Sequence, residues 1–205
     1  MAGRKALILA GTGMLARVAQ VLTHEGWHVV LPSRRYHPLD CEVRPGAAAR
    51  RSMRPPGHRP YHPATLRPWG GGKAIWVEAH WDRPRELAAK AELALRGPAD
   101  LLVAWIHEQY RRSVMGAVEP LLAEDAPVVE VRGGLSGTGT VEPPDPLLPL
   151  HPTQVVQLGT VSAYDAHRSL AQDEIAEGVL DAVRRALNGH ASSTHQVGQL
   201  RPLVR

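Results

Sequence analysis

The segment Gly11-Thr12-Gly13-Met14-Leu15-Ala16 follows a short apolar run, residues 5 to 10, and opens a stretch with apolar positions at Leu15, Val18, Ala19 and Leu22. A G-x-G-x-x-A pattern between a strand and a helix has a definite chemistry. Gly11 allows the tight turn. Gly13 lets the backbone approach a pyrophosphate, and Ala16 permits close helix–strand packing. Free amides at the helix start, aided by the helix dipole, then hold the phosphates. Thr12, Met14 and Leu15 complete this candidate cofactor-binding turn. The bland reading of the same residues is a tight turn in an α/β domain that binds no dinucleotide.

The next chemistry-bearing residues are Ser33, Arg34 and Arg35, at the end of the second apolar run. An NAD site usually carries an acid there, to take the ribose hydroxyls. A carboxylate would repel a 2′-phosphate, whereas a guanidinium binds one with paired hydrogen bonds. The missing acid and the two arginines favour NADP(H) over NAD as the cofactor. The competing reading is that the arginines merely open a basic loop.

These residues need elements to position them. Residues 5–10 read as a buried strand, 14–25 as a helix stopped by Gly26, and 27–31 as a second strand. That is a βαβ unit with a right-handed crossover. Further strands are expected at 74–78, 100–106, 127–132 and 154–161, and helices at 83–96, 108–124 and 171–187. Asp82 is a candidate N-cap, with Pro84 in the first turn. Such alternation predicts a Rossmann-type, doubly wound parallel α/β sheet in a single domain, residues 1–190. Residues 36–72 break it. They hold seven prolines, end in three glycines, and replace the usual second helix with a loop insertion. Residues 191–205 read as a flexible polar tail.

Carboxyl ends of parallel strands converge on the ligand crevice. His80 and Trp81 therefore fall after the third strand and His107 after the fourth, with Trp105, a further candidate cofactor contact, near that strand's end. Arg132 and Gly133 follow the fifth strand, and Gly159 and Tyr164 the sixth. His107 is the candidate catalytic acid/base, because imidazole titrates near neutral pH, and Tyr110, one turn on, is a candidate proton donor. A helix-capping or ribose-contacting role for His107 is an equal reading. His80 reads as an adenine contact or a solvated loop histidine. Gly133 and Gly159 read as points of close approach to cofactor.

The composition excludes several classes. The chain has 205 residues, a net charge of +4 and one cysteine, Cys41. A disulfide framework and a multi-cysteine zinc site are thereby excluded. No apolar run reaches the roughly 20 residues of a membrane helix. No signal-peptide pattern is seen, so a cytoplasmic protein is the expectation. His24 and His28, and His58 and His62, stand four apart, but no H-E-x-x-H pattern occurs and no metal is expected. A G-x-S-x-G elbow is also missing. Arg44, Arg50, Arg51, Arg54, Arg59 and Arg67 make the insertion basic, with no acid between residues 44 and 68. A solvated loop, a lid over an anionic ligand and a nucleic-acid patch are its three readings, in that order.

With the glycine turn, three later stretches resemble the short-chain dehydrogenase/reductase superfamily, and in particular its small atypical bacterial members. They are residues 102–107 (LVAWIH), 154–159 (QVVQLG), and 167–179, from His167-Arg168-Ser169-Leu170 to Gly178-Val179. The resemblance spans 5–35 and 74–187 and implies a homodimer or tetramer. It also implies hydride transfer to or from a carbonyl, by means of a tyrosine, a lysine four residues later, and a serine after strand five. This chain departs from that apparatus. Tyr110 is followed at the fourth position by Val114, Tyr164 by Arg168, and strand five ends in Arg132-Gly133-Gly134. The expectation is an NADPH-dependent oxidoreductase reducing a small carbonyl or imine. The alternative is a non-catalytic NADP-binding sensor or regulatory protein.

Overall fold

The computed structural model describes residues 3–36, 65–66, 71–133, 146–165 and 167–199. The elements in chain order are β1 (Lys5–Leu9), α1 (Ala16–His24), β2 (His28–Ser33), β3 (Thr65–Leu66), β4 (Lys73–Glu78), α2 (Pro84–Leu95), β5 (Leu101–Ala104), α3 (Glu108–Val118), β6 (Val128–Arg132), β7 (Thr153–Leu158), α4 (Gln172–Leu187) and β8 (Ser193–Val197). A short 3₁₀ turn, Glu119–Leu121, ends α3. The strands form one sheet in the order β3-β4-β2-β1-β5-β6-β7-β8. All pairs are parallel except β3 with β4. The expected doubly wound α/β architecture is present.

Parallel strands covered on both faces must be apolar throughout. Ala6, Leu7, Ile8 and Leu9 of β1 are all fully buried. Ala6 and Ile8 face a layer that includes Val18, Ala19 and Leu22 of α1 and Ile175, Val179 and Val183 of α4. Leu7 and Leu9 face Leu87 and Leu95 of α2 and Val114 and Met115 of α3. With no phenylalanine in the chain, leucine, valine and alanine fill both layers. Helix α1 stops at Gly26, whose φ of 92° is left-handed, and the Trp27 amide donates back to Leu22.

Strand β2 runs further than its apolar stretch suggests, because Pro32 and Ser33 continue the pairing with β4. The His28 amide points at β1, donating to Arg4. By alternation the Pro32 nitrogen faces the same side. Register with β1 ends at Leu7 opposite Val30, so proline falls where the two strands part and no donor is required.

Three expectations are corrected. First, residues 191–199 are not a free tail, while 200–205 lie outside the described residues. Residues Ser193–Val197 add a parallel edge strand to β7 over five register pairs. Gln154 of β7 accepts from the Ser193 hydroxyl at 2.6 Å and donates to the Ala191 carbonyl at 2.8 Å. Helix α4 approaches this strand so closely that a Cβ at Gly178 would lie 2.3 Å from Val197. Second, Asp82 does not cap α2; Arg83 holds the cap position and no side chain makes a capping bond. Third, within the 36–72 insertion Thr65 and Leu66 pair antiparallel with Ile75 and Ala74. Residues 37–64 and 67–70, with the arginine cluster, lie outside the described residues.

At the opposite end of the sheet from the crevice His28 is buried, and its Nε2 has no hydrogen-bond partner. Burial, reinforced by the nearby charges of Lys73, Lys5 and Arg96, lowers its pKa from 6.5 to about 4. Between those values the unfolded chain binds a proton that the folded chain refuses. Stability is therefore full above 6.5 and falls as pH drops towards 4, by about 3 kcal/mol from this group. Chemical denaturation at neutral pH and near pH 4 should show that loss in the wild type. The loss should be smaller in His28→Leu, and an equal loss in both would refute the assignment.

Candidate functional site

The site begins where β1 ends. Ala10 adopts a φ of 74°, a left-handed conformation that normally favours glycine. Its carbonyl accepts from the Gly13 amide at 3.1 Å and the Leu15 amide at 3.4 Å, closing the turn. The amides of Thr12 and Met14 make no backbone hydrogen bond among the described residues. Helix α1 then starts with no side-chain cap and no acid in its first turn. Unpaired amides and the positive helix end are thus left available to an anion.

The two glycines do different work. A Cβ at Gly11 would lie 2.4 Å from Leu31 and 3.0 Å from Ile8, so Gly11 lets the loop press onto β1 and β2. The tight backbone expected of Gly11 is carried by Ala10 instead. A Cβ at Gly13 would meet only the Ala10 carbonyl, at 3.8 Å. Gly13 is exposed and its outer side is open. Met14 is also exposed, Leu15 is fully buried, and Ala16 packs against the α1/α4 layer.

A cleft of about 300 Å³ opens beside this turn. Ala10, Thr12 and Gly13 form one wall, Pro32, Ser33, Arg34 and Arg35 the other, and Trp81 closes one end; among the described residues no carboxylate lines it. Ser33 was expected to face a ligand, yet its hydroxyl is spent inside the protein. It accepts from Thr12 Oγ1 at 2.8 Å and from Trp76 Nε1 at 2.9 Å, and donates to the Arg35 carbonyl at 2.7 Å. The Tyr36 ring stands edge-on to Trp76, with centroids 5.4 Å apart. Ser33 therefore fixes the arginine segment against the glycine turn. Arg34 and Arg35 themselves are exposed.

A second cleft, also about 300 Å³, shares Arg34 and Trp81 with the first. It is completed by His80, Asp82, His107, Gln109 and Tyr110. Residues 80–82 follow β4 and 107–110 open α3. Trp81 stands edge-on to His107 at 5.4 Å and tilted to Tyr110 at 6.3 Å. His107 occupies the cap position of α3 without a side-chain capping bond. The ring of Trp81 is half-buried against the α2/α3 layer, which fixes the wall common to both clefts. Sequence reasoning placed Trp81 at a strand end and gave it no role. An aromatic residue three positions after a parallel strand was the available signal.

Six expected cofactor residues line neither cleft: Gly11, Met14 and Leu15, within the glycine turn itself, and Trp105, Gly133 and Gly159, beyond it. Trp105 donates its amide to Leu9 at 3.2 Å and packs into the α1/α4 layer, on the other face of the sheet. Gly133 directly follows β6, with its carbonyl bound by Gln157 Nε2 at 3.1 Å and nothing within 4 Å of a Cβ there among the described residues. Gly159 does permit a close approach, but by the chain itself: a Cβ there would lie 2.5 Å from the Gln199 backbone.

Two ionic clusters, around Glu130 and Glu174, brace the rim. Arg111, in the first turn of α3, binds both carboxylate oxygens of buried Glu130 on β6, and Arg132 Nε lies 3.3 Å from the same carboxylate. Glu174 of α4 accepts from Ser162 Oγ, the Ala171 amide and Arg168, and these bonds, Ser162's first, hold its carboxyl below the usual range. Gln172 then reaches the Gly13 carbonyl at 3.3 Å, tying α4 to the turn. Among the described residues no three histidine, cysteine or carboxylate side chains gather as a metal site, and no helix is long and apolar enough to cross a membrane.

No protein-family model and no curated protein sequence matches the chain. Its fold does match solved structures. A short-chain dehydrogenase/reductase from Serratia marcescens superposes with a TM-score of 0.56 at 14% identity, over 95% of this chain and 96% of that one. An NADH-dependent reductase responsible for alginate metabolism gives 0.58 at 14% identity, over 98% of each chain. A beta-ketoacyl-ACP reductase from Bacteroides thetaiotaomicron gives 0.60 at 11% identity, over 96% and 98%. At these identities the likeness is one of fold.

The contrast between the glycines is measurable by denaturant unfolding. Gly11→Ala overpacks the loop and should cost about 1–3 kcal/mol. Gly13→Ala meets no obstacle and should be neutral or stabilising by up to about 1 kcal/mol. Equal destabilisation by both would contradict the packing described.

Proposed function

We propose that the chain binds NADP(H) along the first cleft and reduces a small carbonyl or imine. The observation that carries this reading is the open, uncapped glycine turn facing two arginines across a cleft that no carboxylate lines among the described residues. The donor set suits the group: amides and a helix end for the pyrophosphate, guanidinium groups for a 2′-phosphate. The fold shared with several reductases supports an oxidoreductase, although one of them is NADH-dependent by its name. Against NADH stand the missing acid after β2 and the presence of Arg34 and Arg35.

The second cleft continues the first at Arg34, so it belongs to the adenosine end. We assign it to the adenine, resting on Trp81 with His107 and Tyr110 beside it. That removes the two residues first considered as acid/base from the reacting end. NADPH, when bound, supplies the hydride. The chain binds and orients the cofactor, and the proton comes from water. An imine, being basic, needs a protein acid less than a ketone does, which fits the lack of a tyrosine–lysine pair. The same lack favours a second reading, in which the protein binds NADP as a non-catalytic sensor.

Calorimetric titration with NADPH and NADH tests the cofactor. NADPH should bind in the micromolar range, and Arg34→Ala/Arg35→Ala should weaken it by roughly 10- to 100-fold for each charge-assisted hydrogen bond removed. NADH affinity should change little. Failure of wild type to bind either dinucleotide would overturn the proposal. Once a substrate is found, His107→Ala separates the two roles of that residue. A base contact predicts a higher KM for NADPH with kcat retained; a proton donor predicts a loss in kcat.

A further inference from the structure

The α2/α3 face of the sheet carries a buried charged cluster at its carboxyl edge. Glu130 is 4% exposed and Arg111 is 8% exposed, and together they form a two-pronged ion pair. Arg132, two residues on, shares the same carboxylate through Nε at 3.3 Å. Two guanidinium groups thus meet one carboxylate, and a positive charge is left over. The second prong of Arg132, Nη2, is buried and makes no hydrogen bond among the described residues. A buried cationic donor without an acceptor is costly, and a second carboxylate would remove that cost.

The place of this donor matters. Arg132 is the last residue of β6, at the carboxyl edge where parallel sheets bind ligands. Arg34 and Arg35 lie across β1, on the β2 side of the turn. A dinucleotide held by them directs its reacting end away from β2, towards β5 and β6. Beside Arg132, a Cβ at Gly133 would meet nothing within 4 Å among the described residues, and Gln157 fixes the Gly133 carbonyl. The rim at β6 therefore presents an under-neutralised guanidinium.

We propose that Arg132 recognises a carboxylate on the substrate, which makes the substrate class small oxo or imino acids. This rests on the cofactor reading above for the chemistry, and on the Glu130 cluster for the recognition. Arg132 is a specificity-determining residue here. Arg111 is a positioning residue, because it occupies Glu130 and leaves Arg132 with an unused donor.

The probes are pyruvate and methyl pyruvate, which share a carbonyl and differ in the charge. Calorimetry on the full chain, with NADP⁺ and without nucleotide, should show pyruvate binding about 10- to 100-fold more tightly than the ester, as one charge-assisted hydrogen bond allows. Arg132→Gln should abolish that preference, and Arg132→Lys should retain part of it, with NADP⁺ affinity unchanged in both. In the wild type the Arg132 Nε–Hε resonance should shift with pyruvate and not with the ester, so the test survives a variant that does not fold. Equal affinities, no pyruvate binding, or a preference that persists in Arg132→Gln would overturn the proposal. Loss of NADP⁺ binding alone would strike the cofactor reading and leave the pyruvate comparison to decide Arg132.

Discussion

Strand β1 is hydrogen-bonded on both edges, to β2 on one side and β5 on the other, and both neighbours run parallel to it. A parallel neighbour cannot be reached by a tight hairpin, so each connection must cross a face of the sheet. Helix α1 leaves β1 across one face. Helices α2 and α3 cover the other face. The chain therefore departs from the middle of the sheet in two directions, and a crevice opens where β1 and β2 part. The left-handed Ala10, the proline at 32 and the packed glycine at 11 are local solutions to that one divergence. Both clefts are its consequence.

The packing around this centre is built almost wholly from aliphatic residues. Small and branched side chains let helices lie close to strands, as at Gly11 under Leu31 and Gly178 over Val197. The charged cluster at Glu130 is the exception. A buried ion pair contributes little net stability against an apolar replacement, because desolvation consumes much of the attraction. Its effect is geometric: it fixes the first turn of α3 to the end of β6. That turn carries Tyr110 and follows His107, so the shape of the second cleft depends on a contact on its far side.

Much of the architecture was legible because buried parallel strands announce themselves as short apolar runs. KALIL, HVVL, LLVA and VVEV each read as strands, and the spacing of Val18, Ala19 and Leu22 read as a helix. The sequence of β8, STHQV, did not. Only one face of that edge strand touches α4, and its other contacts are polar bonds to Gln154, which hydrophobic periodicity does not register. The glycine turn and the arginine pair were visible as types and spacing. The duties of individual residues were not, because Ser33 and Gly159 look like ligand contacts until their partners, Trp76 and Gln199, are known. Those partners lie 43 and 40 positions away in the chain.

The bridge from Gln199 to Val161 has a bearing on the order of assembly. The Thr160 and Val161 amides donate to the Gln199 carbonyl, and the Val161 carbonyl accepts from the Gln199 amide. The loop after β7, and through Glu174 the start of α4, is held in part by residues that leave the ribosome late. Domains generally fold as units during synthesis, the N-terminal parts emerging first. Here the glycine turn and its arginine wall can form early, while the rim at β7 waits for β8 to dock. A nascent chain would pass through a stage with a formed turn and an unfinished opposite bank, its β7 edge bare and open to pairing with another strand.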